Sequence, residues 1–105
     1  MKVFVIDPAN LDIYEAEYNG SIDEIYQLGD FDCFDVASFN AENDGVYVDD
    51  NGLFKEDQSF FAITGYPQPL AGKGVVIGCD EEGASVEPSV SLEWLHQNVK
   101  FVRVV

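Results

Sequence analysis

A chain of 105 residues with twenty acidic and five basic side chains carries a formal net charge of −15. That balance excludes nucleic-acid binding by phosphate neutralisation, which needs clustered lysine and arginine, and it disfavours anionic membrane surfaces. An apolar fraction of 47%, with eight Phe, five Tyr and one Trp, excludes a disordered chain and supplies the core of a single domain over residues 1–105.

Lys2 to Ile6 is a short apolar run that predicts a buried strand. It ends in Asp7-Pro8-Ala9-Asn10, a turn in which Pro8 removes a donor and Asp7 and Asn10 favour local side-chain bonds. From Asp12 to Tyr18 the pattern has period two, which predicts a returning strand with Tyr14, Ala16 and Tyr18 on its half-buried face. Ser21 to Glu24 reads as a capping box, and Ile22, Ile25, Tyr26 and Leu28 form the apolar face of a short helix that Gly29 ends in a left-handed conformation.

Phe31 to Phe39 returns to an extended pattern, with Phe34, Val36 and Ser38 on one face and Cys33, Asp35, Ala37 and Phe39 on the other. Asn43-Asp44-Gly45 is a turn, Val46 to Val48 a strand, and Asn51-Gly52 a tight hairpin turn from which Leu53-Phe54 returns. Phe60 to Thr64 is a further strand, and the β-branched run Val75-Val76-Ile77 is a central one. After the Asp80-Glu81-Glu82-Gly83 turn, Ser89 or Ser91 caps a helix that runs through Asn98 on an apolar stripe of Leu92, Leu95 and Val99. Phe101 to Val105 closes the chain as an edge strand. Strands dominate and no βαβ rhythm is present, so the fold class is α+β, a mainly antiparallel sheet with two short helices.

The stretch GYPQPLAGKG, residues 65–74, has the glycine content of a phosphate-binding loop but not its chemistry. A Walker A loop places four residues between its glycines and a hydroxyl after its lysine. Here six residues separate Gly65 from Gly72, and Gly74 follows Lys73. Pro67 and Pro69 also remove backbone donors that such a loop must supply. The run reads instead as a rigid connector, with Gly72 and Gly74 permitting sharp turns and Tyr66 and Leu70 packing back on the body.

Residues 47–83, YVDDNGLFKEDQSFFAITGYPQPLAGKGVVIGCDEEG, resemble the central motif of a small acidic domain family of bacteria, bacteriophages and mobile elements. The MKVFVIDP opening, Asp35-Val36 and the Leu92-Glu93 helix extend the likeness over nearly the whole chain. The YVDDxGLxK…GYPQPLAGKG…DEEG pattern implies a genomic neighbourhood and transfers no catalytic residue, since the family carries no activity to transfer.

Catalysis finds little footing in the residues themselves. His96 is the only histidine, Cys33 and Cys79 lack basic neighbours that would lower a thiol pKa, and two distant cysteines with one histidine do not make a zinc site. Both thiols are expected to be reduced, at least one of them buried. With Gly52 at the sixth position of a calcium loop, Tyr47 would have to be its first ligand, so that motif fails. No catalytic residue, metal or cofactor is therefore expected.

The remaining signal is the charge. Acidic side chains on a rigid sheet can imitate a phosphate row and occupy a basic protein surface, as a DNA mimic or anti-defence protein does; the alternative is a solvated acidic coat. The expectation is a non-enzymatic, cytoplasmic interaction module. Asp49, Asp50, Asp80, Glu81 and Glu82 in the acidic turns, together with Tyr66, Gln68 and Lys73 of the loop, are its candidate binding residues. Two other readings stand beside it: a small ligand-binding or hydrolytic domain using the 65–74 loop, and a domain that self-associates through the last strand.

Overall fold

A computed structural model describes residues 1–29, 31, 33–49 and 59–102. The fold is α+β: among the described residues there are nine strands in two antiparallel sheets, with two short helices. The strands are β1 (Lys2–Asp7), β2 (Asp12–Glu17), β3 (Phe34–Ser38), β4 (Asp44–Asp49), β5 (Phe60–Ile63), β6 (Leu70–Ala71), β7 (Gly74–Cys79), β8 (Ser85–Val86) and β9 (Val99–Val102). The helices are α1 (Ile22–Gly29) and α2 (Leu92–Asn98).

The large sheet has the order β2-β1-β7-β4-β3, with β8 continuing the β1 side of β7 at Gly78 and Cys79. The small sheet has the order β6-β5-β9. Valine and isoleucine at consecutive positions of β1 and β7 fit strands covered on both faces, and Val3, Val5, Ile6, Val75 and Val76 are fully buried. Register turns the alternation into rows. Phe4, Val76, Val46 and Ala37 stand opposite one another and join a core with Phe61, Ile63, Leu95 and Val99 from the small sheet and α2. One residue along, Val5, Val75 and Tyr47 stand in register and face the other way. On that side Val3, Val75 and Ile77 pack with Tyr18, Ile25 and Phe31 under α1.

Gly74 occupies the row Ile13–Ile6–Gly74–Val48 on the face turned to the small sheet. A Cβ there would stand 2.6 Å from Val46 Cγ2 and 2.7 Å from Phe61 Cζ. Its missing side chain is the space into which Phe61 descends, so the glycine expected to permit a turn is a packing glycine. Gly29 departs in the same way: it is helical, has no positive φ, and lies directly under the Phe31 ring. The Phe31 N–H closes the helix on the Tyr26 carbonyl at 3.0 Å. Gly65 and Gly72 do adopt positive φ, of 102° and 78°.

The 65–74 connector is structural at both ends. Thr64 N–H and Oγ1 donate to the Asn98 carbonyl at the end of α2, and Gly72 N–H donates to the Ser59 carbonyl. Leu70 and Ala71 form β6 and are buried, and Tyr66 packs against the core, as expected. Helix α2 is capped by Ser91, whose Oγ accepts from Trp94 N–H at 3.0 Å, and Trp94 stacks on Phe39. At α1, Ser21 Oγ accepts from Glu24 N–H, but Glu24 reaches back to Asn19 N–H, because Asn19 Oδ1 already holds Ser21 N–H.

Three expectations need correction. In β2 the face of Tyr14, Ala16 and Tyr18 is half-buried as expected only toward its end, where Tyr18 is buried and Ala16 packs beside it under α1; Tyr14 is exposed, and the buried side chain of β2 is Ile13 on the other face, opposite Ile6. The turn lies at Ala41 and Glu42 and ends at Asn43, with φ 66°, whereas Asp44 and Gly45 already belong to β4. The last strand begins at Val99 and pairs with β5 as an edge of the small sheet. The Asn51-Gly52 turn and the Leu53-Phe54 arm lie outside the described residues. At the large sheet's two edges, Asp12 Oδ1 accepts from Ile13 N–H and Asp35 Oδ1 from Val36 N–H, each at 2.9 Å, so both edge strands carry a backbone donor held by their own carboxylate.

Asp44 is 1% exposed and fully satisfied. Its Oδ2 accepts from Ser89 Oγ at 2.5 Å and from Asn40 Nδ2 at 2.9 Å, and both of its oxygens lie within 3.1 Å of the Ser89 N–H. Asn40 Oδ1 in turn accepts from Asp44 N–H. Asp44→Ala strands these donors, so urea unfolding is expected to show a loss on the order of 3 kcal/mol. Gly74→Ala is expected to cost about 2 kcal/mol in the same measurement, because both neighbours of the new methyl are locked in the core.

Candidate functional site

The antiparallel order puts the end of β7 and the starts of β1 and β4 at one end of the large sheet. Lys2 pairs there with Glu17, Gly78 with Asp44, and Gly45 with Ser38. Two turns meet at this end, since Cys79 N–H donates to the Asn43 carbonyl. The turn after β7 carries Asp80, Glu81 and Glu82, and the turn before β4 carries Glu42. Glu17 ends β2 and Glu87 follows β8, its Oε2 accepting from Lys2 N–H. Helix α1 starts a few residues beyond β2 with Asp23 in its first turn. All these carboxylates except Glu24, which is half-buried, are exposed.

At the opposite end the exposed carboxylates are Asp12 and Asp35 among the described residues, since Asp7 and Asp49 are buried. Asp7 is held by Asn10, whose Nδ2 donates at 2.7 Å. Among the described residues two cations stand at the crowded end, each held by a carboxylate. Lys2 Nζ pairs with Glu15 at 3.6 Å and the terminal ammonium with Glu17 at 3.5 Å. Lys73 stands at the far end before β7, and Lys100 lies in the small sheet.

A groove of about 430 Å³ opens at the crowded end on the α1 face of the sheet. It exists because α1, only eight residues long, covers one part of that face and leaves the rest bare. Its floor is Gly45, placed between Ser38 and Ile77 in register. Val36 and Tyr47 stand on one side, and Cys79, Asp80, Glu81 and Gly83 on the other. Tyr47 is held by its ring contact with Phe34, centroids 5.2 Å apart, and Phe34 by Tyr26 of α1 at 5.1 Å. Burial pushes the Tyr47 phenol above its ordinary value of 10.0, and its neighbours Tyr18 and Cys79 add to the shift.

The candidate residues from the sequence fall into two places. Asp80 and Glu81 line the groove, and Glu82 shares their turn, its N–H and that of Ala84 bonded to Asp80 Oδ1. Tyr66, Gln68 and Asp49 line a smaller hollow of about 190 Å³ with Asp35 and Leu70. Lys73 is not among the residues that line it. Asp50 lies outside the described residues. Sequence reasoning missed Tyr47, Val36 and Gly45. The signal was present in the alternation of residues 46–48, but Gly45 read as part of a turn.

Both cysteines are free and exposed, against the expectation that one is buried. Cys79 ends β7 past the cover of α1, and its Sγ approaches the Asp80 carbonyl at 3.5 Å; Cys33 precedes β3 outside the core. His96 is exposed on α2. Among the described residues no group of three or more His, Cys, Asp or Glu could hold a metal ion, and no helix is long and apolar enough to cross a membrane.

No family model, no curated protein and no solved structure matches the chain.

The Tyr47 shift has a consequence at high pH. A phenol whose folded pKa lies above its unfolded value favours the folded state fully below about 10, and that contribution is lost as the pH rises from there through the folded pKa. Ultraviolet titration of wild type against Tyr47→Phe should assign the later phenolate step to Tyr47, and unfolding above pH 10 should be less steep in the variant.

Proposed function

We propose that the protein is a non-enzymatic acidic interaction module that occupies a basic surface on a partner protein, in the manner of a DNA mimic. The observation that carries this reading is a gathering of charge: among the described residues Glu17, Glu42, Asp80, Glu81, Glu82 and Glu87 stand at one end of a rigid sheet with Lys2 and the terminal ammonium already engaged. A patch with a strong excess of one sign on a stiff body draws an oppositely charged surface toward it and can raise association rates roughly 10- to 1,000-fold at low salt. The likeness of residues 47–83 to a domain family of phages and mobile elements supports an anti-defence setting, a cytoplasmic location and a DNA-binding host protein as the partner.

The smaller hollow supports a ligand-binding or hydrolytic reading less well. Its volume of about 190 Å³ falls below the ~300 Å³ at which small-molecule pockets begin, and it lacks the cation of its own loop.

Pull-down from a bacterial lysate tests the proposal. At low salt the wild type should retain basic proteins, and both high salt and added duplex DNA should release them. Charge reversal at Glu42, Glu81 and Glu82 should abolish retention, while reversal of Asp12 and Asp35 at the far end should leave it largely intact. Equal loss with both variants, or no retention by the wild type, would sink the proposal.

A further inference from the structure

The groove at the acidic end is more than a gap in the cover of the sheet, because its chemistry changes from floor to rim. We infer that it seats an arginine side chain of the basic partner, an inference that rests on the reading above that such a partner exists.

Three observations select this occupant. The floor is apolar: Gly45 has no side chain and lies under Val36 Cγ1, Ile77 beside it is buried, and Val36 itself is 44% exposed on the edge strand β3. An aliphatic stem lying there would remove this surface from water. The wall is aromatic: Tyr47 is fixed through Phe34 and Tyr26, so a flat cation meets a ring that is already ordered. The rim is anionic. Asp80 commits Oδ1 to the N–H groups of its own turn, while its Oδ2 and the Glu81 carboxylate accept no bond from the described residues.

A guanidinium suits this sequence of surfaces better than an ammonium. It is planar, stacks on aromatic faces, sheds water more readily and presents several donors to carboxylates at once. No basic side chain of the described chain lines the groove. A second copy carries the same net charge of −15 and is repelled by the acidic rim, which makes it a poorer occupant than a basic partner.

Backbone amide NMR with short oligo-arginine and oligo-lysine peptides of equal length reads the site directly. The arginine peptide should shift the amides of Val36, Gly45, Tyr47, Gly78 and Asp80 most, and bind roughly tenfold more tightly than the lysine peptide. Tyr47→Leu should erase that preference. Val36→Arg hangs the chain's own guanidinium over the floor from an exposed edge position; it should abolish the groove shifts while keeping a dispersed spectrum. Equal binding of both peptides, with shifts spread over Asp12, Asp35 and the acidic end alike, would overturn the arginine site and leave the acidic-module reading standing. Absence of any binding at low salt would overturn both. Groove shifts that grow with protein concentration alone would overturn it in favour of a second copy.

Discussion

A carboxylate withdrawn from water has to be met by donors, and Asp44 is met from two separate parts of the chain. Asn40 approaches from the turn before β4, and Ser89 from the connector that leads into α2, forty-five residues away along the chain. The clamp therefore decides where that connector leaves the large sheet. Helix α2 and β9 follow within a few residues, and β9 completes the small sheet by pairing with β5. One buried acid thus joins the two sheets in a molecule whose other acids mostly face solvent. The same clamp anchors the start of β4, and with it the position of Gly45 and Tyr47 one and three residues on.

The sequence carried the elements better than their assembly. The extended pattern at 31–39, the strand at 46–48, the β-branched run at 75–77 and a cap at Ser89 or Ser91 all announced local structure, because each depends on neighbours in sequence. The fold class was legible for the same reason. What stayed hidden depended on contacts across the sheet. Gly74 and Gly29 read as turn and cap residues, yet their purpose is to leave room for Phe61 and Phe31, which only register and packing place there. Asp44 read as one more turn aspartate. Its burial against Ser89 is a long-range event with no local signature, and the same holds for the meeting of residues 42–43 with 79–82 that makes one acidic end out of two turns.

The candidate site was half legible. Asp80, Glu81 and Glu82 were singled out for their charge, and charge is a property of composition. The groove beside them is a property of shape: a short helix, a glycine in register with Ile77 and a tyrosine braced by two aromatic rings. Loop 65–74 drew attention by its glycines and prolines, and the structure spends them on a β5–β6 connection pinned at Asn98 and Ser59. Among the described residues, the turns at one end of the large sheet display charge beside a partly covered sheet face.

Asp12 and Asp35 stand one on each outer strand of the large sheet, and each holds the amide that follows it. A neighbouring molecule seeking to lengthen the sheet would have to break that local bond first and then bring its own carboxylate against another. Each junction at the large sheet would bring anions together, which disfavours stacking there. A large sheet with one face only partly covered is thereby protected along both outer strands.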